Sequence, residues 1–310
     1  MRRPQQEPAA GMPESVTIYE VGARDGLQNE KTTVPVQVKA EFVRRLLAAG
    51  LEHIEITSFV SPKWVPQLAD AEELLQSLGQ EGLGRHRPVL VPNLKGFQRA
   101  EALGVSAIAV FGSATESFSQ KNLNCSVSES FARFETVVSK AKAADMWVRG
   151  YVSMCFGDPW EGDVPIGQVV EVARRMMELG CDELSLGDTI GVATTGHVER
   201  LLGALQEAQI PLDRIAVHFH DTYGQALANT LAAVRAGVRI IDSSAGGLGG
   251  CPYAKSATGN LATEDLVWAL DGMGVHTGVD LPKLVQASLW MATQLGRPSA
   301  SNVVRALGAA

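Results

Sequence analysis

The chain has 310 residues, of which 45% are hydrophobic and 20% are charged, and its formal net charge at pH 7 is −7. This length allows one large α/β barrel or two ordinary domains, and the composition is typical of a globular protein with an ample core. No apolar run approaches the roughly 18 residues that a membrane span needs, and the acidic balance argues against a general nucleic-acid surface. An anionic ligand remains possible, because a few Lys and Arg side chains can build a pocket on an acidic protein.

The first fourteen residues are rich in Pro, Gln and Ala and contain no apolar segment. Arg2 and Arg3 would suit a targeting sequence, but neither an apolar core nor an Arg-rich amphipathic pattern follows them. We therefore expect a disordered tail over residues 1–14 and a cytoplasmic protein. The cysteines form no Cys-x-x-Cys pair and fit a reducing compartment better than a disulfide framework; they are Cys125, Cys155, Cys181 and Cys251.

From residue 16 onward the chain repeats a short β-branched run, a polar or glycine-rich loop and a stretch with helical periodicity. The runs that predict strands cover residues 16–21, 53–57, 88–91, 107–111, 147–153, 183–186, 215–219 and 239–242. Helical periodicity lies between them, for example over residues 37–49, 70–78, 129–144, 166–179 and 226–236. Three of these helices end at Gly50, Gly180 and Gly237, since glycine commonly stops a helix in the left-handed conformation.

Eight β-then-α units predict a (β/α)₈ TIM barrel, whose usual length of about 250 residues matches residues 16–274. A doubly wound open sheet is the alternative. The barrel is favoured because polar residues follow nearly every strand, and the strand ends of a barrel meet at one mouth. We expect a single catalytic domain over residues 15–310, with extra C-terminal helices over residues 275–310.

The stretch His218-Phe219-His220 gives the strongest indication of chemistry. Successive side chains of a strand point to opposite faces, so the two imidazoles project from the same face about 6.5–7 Å apart. Such a pair can share a divalent ion with a nearby carboxylate. The alternative is one core histidine with a chance neighbour, but the position at the end of an apolar strand favours a metal.

Two residues from distant parts of the chain could complete such a site. Asp25 follows the first strand and would face the same mouth, although Asp25-Gly26 alone could be a turn. Asn260 could cap the next helix or offer its amide oxygen as a neutral ligand. Two histidines, one aspartate and one asparagine, completed by water or substrate oxygens, suit a hard ion such as Mg²⁺ or Mn²⁺ better than Zn²⁺.

Three further residues could act beside the ion. Arg24 keeps its charge at working pH and could stabilise an enolate oxygen, or it could form a surface salt bridge. Glu55 should point into the barrel, where a carboxylate needs a partner such as Arg24. Cys251 ends a glycine-rich loop and could exchange a proton at the reacting carbon, or it could be a small hydrophobe under that loop. Together these residues indicate carbon–carbon bond chemistry through an enolate, with the substrate left open.

The chain resembles the 3-hydroxy-3-methylglutaryl-CoA lyase family over residues 19 to about 295. The motifs that carry the resemblance are EVGARDGLQNEK at 20–31, TSFVSPKWVPQ at 57–67, PNLKGF at 92–97, KNLNCS at 121–126, SLGDTIGV at 185–192, HFHDTYGQALAN at 218–229 and LGGCPY at 248–253. The resemblance implies a TIM barrel that cleaves (S)-3-hydroxy-3-methylglutaryl-CoA to acetoacetate and acetyl-CoA. The substrate would then be an acyl-CoA, and we expect a homodimer or higher homo-oligomer.

The resemblance also implies roles for individual residues. The implied metal ligands are Asp25, His218, His220 and Asn260. Arg24 would stabilise the acetyl-CoA enolate with Glu55 as its acidic partner, Cys251 would be the cysteine of the glycine loop, and His218 could exchange a proton with the C3 hydroxyl. The implied substrate contacts or their neighbours are Arg24, Gln28, Ser58, Asp188 and Thr189.

Some positions depart from the family pattern. Ala23 stands where proline is usual, the segment Ala245-Gly246-Gly247 lacks the usual valine, and Asp158 stands where a second cysteine is expected. We expect these changes to touch the pocket wall. Residues 296–298 lack the Asn-x-Lys pattern that lies near the CoA nucleotide in some relatives, and no cysteine lies near the C-terminus for a thiol-linked dimer.

Four alternatives to this lyase follow. One is a lyase for a homologue with a longer branch at C3. The second is a Claisen condensing transferase of the isopropylmalate synthase type, which usually carries a long C-terminal extension. A zinc amidohydrolase would place its His-x-His on the first strand, and a non-catalytic binding barrel would not need a full set of metal ligands.

Overall fold

The computed structural model describes residues 3–250 and 259–308, and its centre is one parallel sheet. The strands are β1 (Thr17–Glu20), β2 (His53–Ile54), β3 (Thr57–Ser58), β4 (Val89–Leu90), β5 (Ala107–Ser113), β6 (Trp147–Ser153), β7 (Glu183–Asp188), β8 (Ile215–Phe219) and β9 (Ile240–Ser243). They pair in the order β2-β1-β9-β8-β7-β6-β5-β4-β3. The two strands at the ends of this order, β2 and β3, belong to one segment of chain, residues 53–58.

This segment closes the sheet into a barrel. β2 pairs with β1 through Tyr19 opposite His53, and β3 pairs with β4 through Thr57 opposite Val89. Between the two short strands, the Glu55 amide donates to the Glu20 carbonyl at 2.9 Å. Residues 53–58 therefore act as one interrupted strand, which leaves eight strands in a closed ring. The predicted (β/α)₈ fold is confirmed, with the predicted second strand split in two.

Helices cover the outside of the barrel. In the two described ranges they are α1 (Val36–Ala48), α2 (Ala71–Leu78), α3 (Leu94–Glu101), α4 (Glu116–Leu123), α5 (Val127–Ala143), α6 (Ile166–Leu179), α7 (Thr195–Glu207), α8 (Ala226–Ala236), α9 (Thr263–Gly272), α10 (Leu281–Leu295) and α11 (Asn302–Gly308). The helices predicted from periodicity are confirmed to within two residues at each end. The three glycines predicted to stop helices have positive φ angles of 90° at Gly50, 105° at Gly180 and 121° at Gly237.

Helix α6 shows how a helix buries one apolar face against the barrel. In α6 the buried residues Val169, Val172, Ala173 and Met176 follow the i, i+3, i+4, i+7 spacing of one helix face. At the C-terminal end, Val267, Leu281, Val285 and Val304 form a small separate cluster that joins α9, α10 and α11. The predicted extra C-terminal helices are therefore present and are packed on the barrel.

Residues 3–14 contain neither helix nor strand. The Glu7 amide donates to the Gly272 carbonyl at 2.8 Å, and the Ala9 amide donates to the Met273 carbonyl at 3.3 Å. These bonds lay the segment along the end of α9. The disorder expected for residues 1–14 and the proposed domain limits stay predictions. Among the described residues, no helix has the length and hydrophobicity to cross a membrane.

Candidate metal centre and active site

A cavity of about 840 Å³ opens at the carboxyl ends of the strands. Its wall combines residues that follow or end β1, β6, β7 and β8, and these include Arg24, Asp25, Tyr151, Thr189 and His218. Residues far apart in sequence thus meet at one mouth, as the barrel prediction required.

Arg24 and Asp25 lie on a single π-helical turn, Gly22–Gly26, directly after β1. The turn is held from below by the buried Glu20 carboxylate, which accepts hydrogen bonds from the Gly22 amide at 2.8 Å and the Ala245 amide at 2.9 Å. Burial raises the pKa of Glu20 to about 7. Single π-helical turns are frequent at functional sites, and this one presents two neighbouring side chains of opposite charge to the cavity.

The turn can only approach the turn after β9 because residue 26 is glycine. A Cβ atom at Gly26 would lie 2.8 Å from the Ser244 Oγ and 2.9 Å from the Leu248 Cβ. Real Cβ atoms almost never make contacts this short. The packing of these two turns therefore sets the position of Asp25.

Asp25, His218 and His220 offer ligand atoms that all lie within 4.8 Å of one another. His218 is in β8 and His220 follows its last residue, so the period of two places both rings on the same side, and their Nε2 atoms are 3.2 Å apart. Burial and the neighbouring His218 lower the pKa of His220 to about 4. Burial alone would raise the pKa of Asp25, but the charges of Arg24 and His218 outweigh it and lower that pKa. Burial alone would lower the pKa of His218, but Asp242 and Asp25 outweigh it and raise that pKa. A neutral imidazole and an ionised carboxylate are the forms that bind a metal, and His220 and Asp25 are shifted toward them.

Asn260 joins this cluster from the C-terminal part of the chain, 235 positions after Asp25. Its Nδ2 donates to the Asp25 Oδ2 at 2.7 Å and to the Leu248 carbonyl at 3.1 Å. Helix α9 begins at Thr263 with Ala262 as its N-cap residue, so the alternative that Asn260 caps this helix is wrong. The Asn260 Oδ1 is buried and has no hydrogen-bond partner in the described part of the chain. Two imidazoles, a carboxylate and such an amide oxygen fit a hard divalent ion.

Arg24 is buried, with an exposed fraction of 7%, so the alternative of a surface salt bridge is wrong. Its Nε donates to the Glu55 Oε2 at 2.7 Å, and its Nη1 donates to the Asp25 Oδ1 at 3.0 Å. The Tyr151 hydroxyl donates to the same Glu55 oxygen at 2.9 Å. The expected pair of Arg24 and Glu55 is therefore present. Burial raises the pKa of Glu55, although Arg24 opposes the shift.

The other predicted contacts divide into two groups. Gln28 and Thr189 line the cavity. Ser58 and Asp188 do not: the Ser58 Oγ accepts from the Val60 amide, while the Asp188 carboxylate accepts from the amides of residues 192 and 193. Both side chains thus shape loops at the mouth, and burial raises the pKa of Asp188 to about 6.

Cys251 lies outside the described residues. The carbonyl of its neighbour Gly250 accepts from the Asn29 Nδ2 at 2.8 Å, and Gly250 lines the cavity. The other three cysteines are free and buried. Burial raises the pKa of Cys155, and it raises that of Cys181 to about 12. Both shifts favour the protonated thiols of Cys155 and Cys181.

The expectation that the departures from the family pattern touch the pocket wall is wrong. Within the described residues, neither Ala23, nor residues 154–160, nor residues 245–247 line the cavity. The Asp158 carboxylate instead accepts from the Trp160 amide at 2.7 Å, from the Glu161 amide at 2.9 Å and from the Thr115 hydroxyl at 2.6 Å. Asp158 is thus used to shape the loop after β6.

Sequence reasoning missed a second layer of charge beneath the cluster. Asp242 in β9 accepts from Arg149 in β6 and contacts the ring of His218, and both Asp242 and Arg149 are buried. A signal was available, because Ile240-Ile241-Asp242-Ser243 places a carboxylate within a strand that forms the barrel wall.

The chain matches the family model described as HMGL-like over residues 15–290. It is 53% identical over 295 residues to the mitochondrial hydroxymethylglutaryl-CoA lyase of Rattus norvegicus, a match covering 95% of this chain and 90% of the relative. It is 52% identical over 297 residues to the cytoplasmic 3-hydroxy-3-methylglutaryl-CoA lyase of the same species, which covers 96% and 86%.

Solved structures give the same result. The hydroxymethylglutaryl-CoA lyase of Pseudomonas aeruginosa superposes with a TM-score of 0.91 at 48% identity, covering 96% of this chain and 99% of that one. A lyase of Acinetobacter baumannii in complex with coenzyme A and 3-methylmalate superposes with a TM-score of 0.88 at 34% identity, covering 97% of both chains.

Proposed function

The chain belongs to the HMGL-like family, and from this premise we propose that it is a carbon–carbon lyase that cleaves (S)-3-hydroxy-3-methylglutaryl-CoA to acetoacetate and acetyl-CoA. The residues Asp25, His218, His220 and Asn260 form what we call the metal-candidate cluster. The observation that carries the proposal is the buried guanidinium of Arg24, which donates a hydrogen bond to Asp25 of this cluster and lines the same cavity. A lyase of this kind needs a cationic donor and a metal site side by side. Relatives that act on this substrate cover nearly the whole chain.

Asp25, His218, His220 and Asn260 would hold one divalent ion, Mg²⁺ or Mn²⁺. Such an ion supplies a Lewis acid that lowers the pKa of a hydroxyl beside it. The four residues bring one negative charge, so the site keeps a net positive charge toward an anionic substrate. Oxygen and imidazole donors favour these ions over a closed tetrahedral zinc site.

Arg24 would stabilise the thioester oxygen of the acetyl-CoA part as negative charge develops there. Its guanidinium plane is fixed by Glu55 on one side and Asp25 on the other, so little reorganisation is needed during the reaction. Glu55 is itself held by the Tyr151 hydroxyl. We assign Glu55 an orienting role, since its Oε2 already accepts from Arg24 and Tyr151.

The bond changes balance with two proton transfers. The C3 hydroxyl loses its proton to solvent, the C3 carbonyl forms, the C2–C3 bond breaks, and the electron pair of that bond passes to the thioester as an enolate. His218 would relay this proton only while its Nε2 is free of the ion, because its Nδ1 faces Asp242. The Cys251 thiol then gives a proton to C2, which yields acetyl-CoA. The Cys251 thiolate regains a proton from solvent. Gln28, Ser58, Asp188 and Thr189 remain proposed as substrate contacts or their neighbours, with Gln28 and Thr189 on the cavity wall.

Product analysis tests the proposal. The purified chain is incubated with 3-hydroxy-3-methylglutaryl-CoA and Mg²⁺ or Mn²⁺, and acetoacetate and acetyl-CoA are quantified by mass spectrometry with and without EDTA. We expect equal amounts of both products, lost on chelation. A chain that releases neither product with either ion would refute the proposal. An Asp25→Ala variant that forms the products as fast as the parent would show that Asp25 is not needed for turnover.

The alternatives gain no support from the site. The segment 154–160 around Asp158, where the chain departs from the family pattern, stays off the wall of the cavity in the described residues. A parallel incubation with a longer-branched thioester separates the two substrates. The condensing transferase and the zinc amidohydrolase are disfavoured, because the chain matches hydroxymethylglutaryl-CoA lyases over at least 90% of their length.

We also propose an acyl-CoA partner, a homodimer or higher homo-oligomer, and a cytoplasmic location. The first is supported by the A. baumannii lyase solved with coenzyme A. Relatives include both mitochondrial and cytoplasmic lyases, so location varies within the family. Light scattering after size-exclusion chromatography measures the oligomeric state.

A further inference from the structure

Asp242 places a carboxylate behind one of the two clustered histidines. Residues His218 and Asp242 lie opposite each other on β8 and β9. The His218 Nδ1 is 3.3 Å from the Asp242 Oδ2, while its Nε2 faces His220 at 3.2 Å. The ring of His218 therefore spans from a buried carboxylate to the metal-candidate cluster.

This arrangement selects one form of the His218 ring. An Nδ1–H group that donates to Asp242 leaves the Nε2 lone pair free for a ligand, and it also fixes the plane of the ring. His220 lacks such support, because its Nδ1 is buried without a hydrogen-bond partner among the described residues. Of the two imidazoles, His218 is thus the one that the protein orients through a carboxylate.

Asp242 is itself held in place. Arg149 donates to both of its oxygens, from Nη2 to Oδ1 at 2.6 Å and from Nη1 to Oδ2 at 3.1 Å, and the Ser185 hydroxyl donates to Oδ2 at 2.8 Å. Arg149 is fully buried, and its Nε donates to the Glu183 Oε1 at 2.6 Å. Because Arg149 holds both of its oxygens, Asp242 is fixed where its Oδ2 faces the His218 Nδ1.

We propose that Asp242, clamped by Arg149, is a positioning residue that orients His218 and fixes its tautomer for binding a divalent ion. The proposal rests on the metal site of the proposed function and is independent of the substrate. Outer carboxylates of this kind raise the basicity of a ligating imidazole and commonly contribute 10- to 100-fold in metal affinity. Asp242 touches neither substrate nor reacting atoms in this role.

The test is Mn²⁺ binding, measured by the electron paramagnetic resonance signal of free Mn²⁺ in the absence of substrate. Asp242→Asn keeps the shape of the side chain but removes its charge, and we expect it to weaken Mn²⁺ binding by roughly 10- to 100-fold. Glu183→Gln is the matched control. This variant removes the negative charge beside the Nε of Arg149, on the side of the guanidinium away from His218. We expect it to bind Mn²⁺ as the parent does.

A second readout separates orientation from general loosening of the core. At a pH where His218 is neutral, nitrogen chemical shifts of ¹⁵N-labelled histidine should report a single Nδ1–H tautomer for His218 in the metal-free parent and a mixture in Asp242→Asn. Should Asp242→Asn fail to fold, Ser185→Ala removes one donor to the same oxygen, and we expect a smaller loss of Mn²⁺ affinity.

Three results would overturn the proposal: Asp242→Asn binding Mn²⁺ like the parent, Glu183→Gln weakening it as much as Asp242→Asn, or a parent that binds no Mn²⁺. The last would also contradict the metal site of the proposed function. A parent that binds Mn²⁺ with the expected Asp242 dependence but releases no acetoacetate would support the role of Asp242 and contradict only the proposed substrate.

Discussion

At the scale of single residues, the arginine after β1 has two simultaneous tasks. Arg24 bonds to Glu55, which orients it, and to Asp25, which belongs to the metal-candidate cluster. A guanidinium can do both because its donors form a rigid planar fork, whereas an ammonium is a point charge. The geometry of the donor, beyond its charge, is therefore expected to matter.

We expect Arg24→Lys to lower kcat roughly 100-fold or more, because a lysine cannot hold both carboxylates and still donate to the substrate. Steady-state kinetics with 3-hydroxy-3-methylglutaryl-CoA measure the effect, and circular dichroism checks the fold. Arg44→Lys is the control, since Arg44 forms a partly exposed ion pair with Glu81 far from the site. Near-parental kcat in Arg24→Lys would contradict the role assigned to Arg24.

The site residues that could be predicted from the sequence are those that belong to a pattern of neighbouring residues along the chain. The period of two in a strand placed His218 and His220 on one side, and the polar residues after β1 pointed to Asp25. Arg149 and Asp242 escaped notice, because their bond joins residues 93 positions apart and each charge is neutralised by a partner that periodicity does not reveal. A pattern along the chain identifies a face of a strand, but not which side chains meet across the barrel.

At the scale of elements, the turn after β9 is fastened by two buried carboxylates. Glu20 accepts from the Ala245 amide, and Glu264 accepts from the Gly246 amide at 2.9 Å and from the Ser288 hydroxyl. Burial raises the pKa of Glu264 to about 8. This turn leads into the glycine-rich segment before Cys251, so these carboxylates fix the base of the segment.

The raised pKa of Glu264 makes stability depend on pH. The folded chain holds one proton more than the unfolded chain between pH 4.5 and about 8. The contribution of this group is therefore complete below pH 4.5 and is lost as the pH rises toward 8, which amounts to a few kcal/mol at most.

We expect Glu264→Gln, which stays neutral, to lose less free energy of unfolding than the parent between pH 5 and pH 9. Urea titrations at several pH values measure the difference, and Glu207→Gln on the surface is the control. Parallel curves for Glu264→Gln and the parent would show that the carboxyl does not carry the pH dependence.

The contact between the turns after β1 and β9 can be tested with a pair of glycines. We expect Gly26→Ala to destabilise the chain by about 1–3 kcal/mol, since its Cβ would meet Ser244 and Leu248 within 3.0 Å. Gly203→Ala in α7 has open space around its Cβ and should stabilise by up to about 1 kcal/mol. Denaturant unfolding of both variants compares them, and a stabilising Gly26→Ala would contradict the close packing of the turns.

Most helices and strands could be predicted from the sequence, because the ends of long amphipathic helices are marked by glycines and capping residues. The second strand was predicted as continuous but is found as two short pieces, β2 and β3. Hydrophobicity could not show the interruption, since residues 54–58 are buried throughout.

At the scale of the whole molecule, a bound ion would connect distant parts of the barrel. Its candidate ligands come from the turn after β1, from β8 and its end, and from Asn260 before α9. A ligand that binds the folded state alone stabilises it by about 2.7 kcal/mol at a concentration of 100 times its Kd.

Saturating Mn²⁺ should therefore raise the unfolding midpoint by about 5 °C, and EDTA should reverse the shift. Scanning fluorimetry measures it. His220→Ala should abolish the shift, while His276→Ala, which replaces an exposed histidine, should keep it. An undiminished shift in His220→Ala would exclude the cluster as the binding site.

Eight repeated β-then-α units predicted a closed barrel, but they did not predict which strand pairings close it. That detail depends on residues 53–58 pairing with neighbours on both sides, which follows from three-dimensional register rather than from local propensity. The position of α10 and α11 was likewise not predictable beyond their helical character.

The pairing of β1 with β9 also has a consequence for synthesis on the ribosome. The first strand finds this neighbour only after residues 240–243 have emerged, and Asn260 follows later still. A nascent chain therefore cannot assemble all four proposed metal ligands until about five-sixths of it has been translated. Ion capture would then mark a nearly finished polypeptide, and truncated translation products would be unable to compete for the cell's supply of the metal.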